Sequence, residues 1–139
     1  MSDVLANVSC VALDGRGVLI MGAPGSGKSS LALALIDRGA MLVGDDGVVL
    51  SVADGRLHAA PPPHIAGLIE LRNVGLLRLP TASALLALAL RLSPDAPRLP
   101  DAPEKLTLLG CTLPLLELWP ECTALPLRAH WALTMHGLA

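Results

Sequence analysis

Short apolar runs alternate with polar turns along the first third of the chain. Residues 4–13 and 17–21 are mostly apolar, and Asp14-Gly15-Arg16-Gly17 supplies a turn between them. This arrangement predicts a β-hairpin whose second strand is short and buried. Residues 30–38 follow as a helical pattern that Gly39 ends.

The next stretch predicts further strands. The apolar run 40–44 ends on Asp45-Asp46, and 47–52 resumes as a strand that returns through 57–60 after an Asp-Gly turn. Three consecutive prolines then interrupt the pattern. Residues 65–72 are predicted as one more strand, in which Glu70 and Arg72 would lie on the same side because they are two apart.

The C-terminal part is less regular. Residues 81–92 are apolar nearly all round, and we expect a buried helix there. Four prolines among charges make 93–103 an exposed loop. Residues 106–109 and 113–118 are strand candidates, the second kept near a sheet edge by its proline. Residues 123–138 predict a closing helix with a proline in its first turn.

One motif stands between the first buried strand and the first helix. Residues 22–29 match the pattern G-x-x-x-x-G-K-[ST] of a phosphate-binding loop, with the strand before it and the helix after it that such a loop requires. The candidate nucleotide-binding residues are therefore Gly22, Ala23, Pro24, Gly25, Ser26, Gly27, Lys28 and Ser29.

The residue types of this motif suit a phosphate ligand. Glycines let the backbone curl so that successive N–H groups point at phosphate oxygens, with the positive end of the helix dipole behind them. Lys28 would reach the β and γ phosphates, and the Ser29 hydroxyl would coordinate Mg²⁺. ATP and Mg²⁺ are thus the predicted cofactors.

Asp45 and Asp46 follow the strand after the phosphate-loop helix. In a phosphoryl-transfer site, one carboxylate can hold the metal while another accepts the proton of the attacking hydroxyl. Asp-Asp-Gly is also good turn chemistry, so a solvated turn is the alternative interpretation.

Composition excludes several classes of partner. The chain has two Trp, no Phe and no Tyr, and its formal net charge is −2. Base stacking on aromatic side chains and a basic nucleic-acid surface are therefore not expected. No charge-free stretch approaches the roughly 20 residues of a membrane-spanning helix. No basic and apolar leader opens the chain, so we predict no membrane partner and a cytoplasmic location.

At 139 residues, 1–139 is expected to form a single phosphate-loop kinase domain. Cys10, Cys111 and Cys122 are odd in number and have no C-x-x-C spacing. They are predicted to be free thiols in a reducing compartment. The four histidines do not pair with Cys or acids at metal-ligand spacing, so they are interpreted as structural or surface residues.

Three blocks together resemble the catalytic domain of the bacterial HPr kinase/phosphorylase family. The first is 17–39, with the phosphate loop and the helix ending in Ile-Asp-Arg-Gly; the second is 42–48, with Asp45-Asp46. The third comprises Ala-Pro-Pro at 60–62 and Leu-Ile-Glu-Leu-Arg-Asn-Val-Gly at 68–75. The resemblance covers roughly residues 7–79 and points to a short form that holds only the C-terminal catalytic domain.

The resemblance implies an α/β fold with a P-loop kinase core similar to HPr kinase and phosphoenolpyruvate carboxykinase, a mixed sheet with flanking helices. It implies a protein-serine kinase that uses ATP and Mg²⁺ to phosphorylate the phosphocarrier HPr or a paralogue, with possible reverse phosphorolysis, in regulation of the phosphotransferase system. Family members often form hexamers. Carried over by position, the roles are base for Asp46, catalytic for Lys28, Arg72 and Arg98, and metal ligation or support for Ser29, Asp45 and Glu70.

The chain departs from the family pattern at Asn7, where a histidine is usual, at Ser30, where an acid is common, and at Asn73, where the family has glycine. These departures motivate a second hypothesis, a nucleotide-binding regulator with little or no kinase activity. A third, a small-molecule P-loop kinase, is disfavoured because no Arg-rich lid follows the loop.

Overall fold

The computed structural model describes residues 2–139. Within that range the chain forms eleven strands and two helices. In order they are β1 Ser2–Ala6, β2 Ser9–Leu13, β3 Arg16–Gly22, α1 Lys28–Asp37, β4 Met41–Gly44, β5 Gly47–Ala53, β6 Arg56–Ala60, β7 Leu68–Leu71, β8 Gly75–Arg78, β9 Ala84–Leu92, β10 Glu104–Leu108, β11 Cys111–Leu118 and α2 Leu125–His136.

Nine of these strands form one mixed sheet, in the order β1-β5-β6-β9-β3-β2-β4, with β11 also paired to β9 and β10 to β11. Strands β3, β9 and β11 run parallel to one another, and the other pairs in this sheet are antiparallel. The carboxyl ends of β3 and β9 therefore meet at one edge, where ligands bind in open α/β sheets. The predicted α/β class with a mixed sheet and flanking helices is confirmed.

Strand β9 corrects the helix expected at residues 81–92. The segment is a central strand, paired with β3 on one side and with β6 and then β11 on the other. Leu88 and Leu90 are fully buried on one sheet face and Leu86 and Ala89 on the other. A strand covered on both faces is a continuous apolar run, which periodicity alone does not separate from a buried helix.

The core consists of two clusters, one on each face of the sheet. The first packs Val18 and Ile20 of β3 against both helices, including Leu31 of α1 and Leu133 of α2. The second gathers apolar residues under the curled part of the sheet, among them Leu19 of β3. Adjacent residues of β3 thus serve opposite faces, as the period of two in a strand requires. Because core residues pack against both faces of β3, the strand that leads into the glycine-rich loop is held in place.

Other expectations are confirmed with changed boundaries. Strands β2 and β3 form the predicted hairpin, and Asp14 and Gly15 both have positive φ in its turn. The apolar run 4–13 is broken at Asn7, which has a φ of 63°, and its first part pairs with β5 instead. The closing helix is α2, with a proline in its first turn.

No helix within residues 2–139 is long and apolar enough to cross a membrane. Cys10 is buried, Cys111 and Cys122 are partly exposed, and all three are free thiols. Burial raises the pKa of the Cys10 thiol to about 12.

Candidate active site

The glycine-rich loop joins β3 to α1 at the edge where the parallel strands end. Gly22 has a φ of 153°, and a Cβ there would lie 2.6 Å from Ser26 Oγ and 3.1 Å from the carbonyl oxygen of Leu92. Gly25 and Gly27 also have positive φ but face open space. Glycine is therefore required at 22 by close packing and conformation, and at 25 and 27 by conformation.

Lys28 is held by the loop that precedes it. Its Nζ donates to the carbonyl oxygen of Gly22 at 2.7 Å and to that of Ala23 at 3.3 Å. The Oγ of Ser26 is buried and has no hydrogen-bond partner in the described residues. A buried polar atom without a partner in a curled, glycine-rich loop fits an anionic ligand that would complete its bonding.

Asp45 receives two hydroxyl groups on one oxygen. Ser29 Oγ donates to Asp45 Oδ1 at 2.8 Å and Ser9 Oγ donates to the same atom at 2.7 Å. Ser9 is 1% exposed and belongs to β2, which lies between β3 and β4. Ser9 has no signal in the sequence, because its contact with Asp45 spans 36 positions and depends on strand order.

Asp46 follows in the turn between β4 and β5 and has a φ of 62°. Its carbonyl oxygen accepts the backbone N–H of Asn7 at 3.1 Å, which ties this turn to the break between β1 and β2. The Asp46 side chain is exposed, unlike the partly buried Asp45. The two adjacent acids thus have different surroundings, as different chemical roles would need.

A cavity of about 730 Å³ brings most of the predicted site residues together. The hairpin of β7 and β8, with the segment before it, contributes Glu70 and Arg72, although Arg72 lies just after β7 and not within it. The lining comprises Asn7, Pro24, Gly25, Ser26, Gly27, Lys28, Ser29, Ser30, Leu33, Asp45, Asp46, Ile65, Leu68, Glu70, Leu71 and Arg72. The apolar members of this wall were not foreseen from the sequence.

Three predicted residues are not in that lining. Gly22 and Ala23 act through the carbonyl oxygens that hold Lys28. Arg98 lies in the proline-rich loop after β9 and lines a separate cavity of about 360 Å³ with Trp119 and Arg128. The structure therefore does not bring Arg98 together with the other candidates.

The donor set fits a magnesium ion shared with phosphates. Within residues 2–139 no group of three or more His, Cys, Asp or Glu side chains is close enough to hold a metal. Mg²⁺ usually takes only one or two carboxylates, with phosphate oxygens and water completing its shell. Asp45 and Ser29 are in contact, and Glu70 lines the same cavity, so these residues meet that requirement.

These features define an α/β domain with a mixed sheet and a glycine-rich loop of phosphate-binding sequence beside two carboxylates. The model of the family described as HPr Serine kinase C-terminal domain matches residues 3–84. The chain belongs to this family.

Individual proteins of the family are also similar to this chain. The HPr kinase/phosphorylase of Bordetella petrii is 48% identical over 68 residues, which are 48% of this chain and 22% of that protein. That of Clostridium botulinum is 42% identical over 77 residues, 55% of this chain and 24% of that protein. The chain thus matches between a fifth and a quarter of the length of these curated relatives.

A solved structure extends the likeness beyond those segments. The HPr(Ser) kinase/phosphatase from Coxiella burnetii has a TM-score of 0.82 and 26% sequence identity, covering 95% of this chain and 89% of that one. The similarity of fold therefore extends from β9, which begins at the last matched residue, through β10 and β11 to α2.

Proposed function

We propose that this chain is a protein-serine kinase that uses ATP and Mg²⁺ to phosphorylate the phosphocarrier HPr or a paralogue, and so regulates the phosphotransferase system. One observation carries the proposal: Lys28, Asp46 and Arg72 line the same cavity as Ser29, Asp45 and Glu70. A phosphate cradle, a metal-binding pair and a free carboxylate are the parts that phosphoryl transfer needs. Membership of the HPr kinase family supports HPr as the acceptor.

Each residue has a role that its surroundings support. The loop N–H groups and Lys28 would offset phosphate charge, and Ser29, Asp45 and Glu70 would hold the cation. Bound Mg²⁺ would supply charge neutralisation at the transferred phosphoryl group. Asp46 accepts the proton of the acceptor serine's hydroxyl group. The seryl oxygen bonds to the γ phosphorus of ATP, and ADP leaves. Arg72, which lines the cavity, stabilises negative charge on the phosphates. A catalytic role for Arg98, which lines a different cavity, stays a prediction.

Ser9 is proposed as a positioning residue for Asp45. It is nearly inaccessible and directs its hydroxyl at the oxygen that Ser29 also contacts. Outer hydrogen bonds of this kind orient a metal-ligating carboxylate. Three further features stay predictions: a hexameric assembly, a cytoplasmic location and a single domain over residues 1–139.

A nucleotide-binding regulator with little kinase activity is the second candidate. Asn7 lines the cavity and its N–H bonds to the Asp46 carbonyl, yet its side chain has no titratable proton. Asn73 has a φ of 68° in the turn after β7. Asn7 and Asn73 differ from the family pattern and lie outside the phosphate loop. The nucleotide-binding residues are therefore unchanged, and a change in phosphoryl transfer is what the regulator hypothesis expects.

The deciding experiment incubates the purified protein with labelled ATP, Mg²⁺ and HPr, and follows label on the carrier. Lys28→Ala serves as the control, because losing the cation from the cradle should weaken ATP binding measured by calorimetry. Label on HPr with wild type and none with Lys28→Ala supports the kinase. ATP binding without transfer to any carrier would favour the regulator.

A further inference from the structure

Residues 64–79 contain the hairpin of β7 and β8 and are hydrogen-bonded only among themselves. The two strands pair with each other in a separate two-stranded sheet. Leu79 N–H donates to the Gly67 carbonyl oxygen at 2.8 Å. Arg78 Nη1 donates to the Ala66 carbonyl oxygen at 3.1 Å. Within the described chain, every hydrogen bond of this segment, the flap, is made inside it.

The flap is joined to the rest of the domain mainly at its two ends. Prolines at 61–63 and at 80 flank it and have no N–H to donate to the main sheet. The chain rejoins the domain at Ala82, whose N–H donates to the Leu42 carbonyl oxygen at 2.9 Å. Ile69 is 1% exposed, yet among the described residues it belongs to neither core cluster. The flap can therefore move as one body without breaking a hydrogen bond of the main sheet.

The flap forms one wall of the site cavity. Glu70 lies opposite Leu76 in the register of the hairpin and points away from the side of the buried Ile69, because adjacent strand residues face opposite ways. The other wall includes the phosphate loop with Asp45 and Asp46. The flap residues in the lining are Ile65, Leu68, Glu70, Leu71 and Arg72.

Three carboxylates line this cavity, and the flap carries one of them. Asp45 and Asp46 belong to the core wall and Glu70 to the flap. Across residues 2–139 no three acid, His or Cys side chains are close enough to hold a metal, so these carboxylates do not form a metal site in this arrangement. Like charges on the two walls repel each other, whereas a divalent cation between them attracts both. The position of the flap should therefore depend on the cation.

We propose that the flap closes the cavity when Glu70 and Asp45 share a Mg²⁺ ion with the nucleotide phosphates. This closure rests on the proposed function and adds a conformational step to it. Arg72 would approach the phosphates together with Glu70, since both belong to the flap. Closure would also exclude water from the cavity, which favours transfer to a seryl hydroxyl over hydrolysis.

Amide hydrogen exchange followed by mass spectrometry measures the flap directly. The protein is measured alone, with a non-hydrolysable ATP analogue and EDTA, and with the analogue and Mg²⁺. We expect the analogue with Mg²⁺ to slow exchange in residues 64–79 at least about tenfold, because the joined flap opens less often. The analogue without Mg²⁺ should protect residues 22–29 and leave exchange in the flap unchanged.

Glu70→Gln tests the connection between the flap and the cation. Glu70 is exposed, so the amide should leave the fold intact while it removes the charge that the cation would contact. Residues 22–29 should remain protected by the analogue with Mg²⁺, and the flap should lose its protection. Glu121→Gln is the matched control and should behave as wild type, because Glu121 is also exposed and lies outside the cavity lining.

Flap protection that is equal with and without Mg²⁺, or that persists in Glu70→Gln, would overturn the closure. Label on HPr reports the kinase separately. Mg²⁺-dependent protection of the flap without transfer to HPr supports the closure and counts against the kinase. Transfer to HPr with unchanged exchange in the flap supports the kinase and overturns the closure. A lack of protection in both the loop and the flap would overturn both.

Discussion

At the scale of single residues, Asp45 and Asp46 show how neighbours in sequence acquire different surroundings. Asp45 is partly buried and accepts two serine hydroxyls, while Asp46 is exposed in a turn of positive φ. The hydrogen bonds from Ser9 and Ser29 fix the orientation of the Asp45 carboxylate. The exposed Asp46 carboxylate is accessible to a hydroxyl group of a bound acceptor.

Asp46→Asn should therefore leave ATP affinity unchanged and lower phosphoryl transfer at least ~10²-fold, because a general base acts in the transition state. The amide keeps the size of the side chain and tolerates the left-handed turn. Calorimetry with ATP and initial rates with HPr measure the two quantities. Transfer at the wild-type rate would make Asp46 a turn residue.

Asn7 bears on the direction of the reaction. Phosphorolysis needs phosphate held beside phosphoserine, which requires added positive charge or a proton donor near the cavity. Asn7 supplies no titratable proton, and residues 113–127 contain no Lys or Arg. We expect the forward rate to exceed the reverse rate.

The assay for this prediction supplies serine-phosphorylated HPr with millimolar phosphate and follows pyrophosphate release. The variant Asn7→His is the comparison, since histidine also tolerates positive φ. It should raise the reverse rate relative to the forward one. Equal forward and reverse rates in wild type would show the inference from missing charge to be wrong.

Cys10 gives the protein a pH dependence that one thiol controls. Below pH 9 the thiol is protonated in both the native and the unfolded chain. Between pH 9 and about 12 the unfolded thiol ionises while the buried one keeps its proton, so rising pH favours unfolding. The free energy of unfolding should fall by about 2 kcal/mol between pH 8 and 10.5 from this group.

Urea unfolding at the two pH values measures that fall, and few other groups obscure it because the chain has no Tyr. Cys10→Ala should remove most of the difference between the two pH values. Cys122→Ala, at a partly exposed thiol, should retain it. A wild-type fall that persists in Cys10→Ala would assign it to another group.

At the scale of elements, the sequence predicts those whose signals are local. Strand β3, helix α1 and the hairpin turns at Asp14-Gly15 and Asp54-Gly55 follow from short apolar runs, a terminal glycine and turn chemistry. Strand β9 does not, because its Leu and Ala residues favour a helix locally and only burial on both faces makes it a strand.

The candidate site, like the elements, was predictable only where the signal is local in the sequence. Residues within one motif could be placed, whereas Ser9 against Asp45 depends on strand order. The resemblance supplied Glu70 and Arg72, yet Leu76 as the neighbour of Glu70 follows only from the register of β7 and β8. Long-range pairing leaves no signal in a single sequence.

Leu88→Ala in β9 should lower the free energy of unfolding by about 2–5 kcal/mol, since it leaves a cavity between the sheet and the helices. Leu85→Ala is the control in the same strand, where the side chain is 37% exposed, and should cost under about 1 kcal/mol. Urea titrations give both values. Similar losses from the two variants would contradict the central place of β9.

At the scale of the whole molecule, helix α2 is tied to the N-terminal half. Arg16 Nη1 donates to the Leu138 carbonyl oxygen at 3.2 Å, and His130 Nε2 lies 2.9 Å from Asp14 Oδ2. Arg56 Nη2 donates to the Leu86 carbonyl oxygen at 3.1 Å within the sheet. The first two contacts join opposite ends of the sequence across one core.

We therefore predict a single cooperative unfolding transition for residues 1–139. Far-ultraviolet circular dichroism reports the sheet and helices, while tryptophan fluorescence reports Trp119 and Trp131, near the end of the chain. The two urea curves should coincide. Separate midpoints would divide the chain into more than one unit.

The central place of β9 has a consequence for exchanging parts between relatives. The residues that identify the family end at Ala84, where β9 begins. Yet β9 pairs along β3, and its Leu92 carbonyl oxygen approaches Gly22 at the start of the loop. The segment that the family model matches is therefore shorter than the segment that the fold needs. A chimera that transplants the loop and acids into another scaffold has to carry β9, β11 and α2 with them.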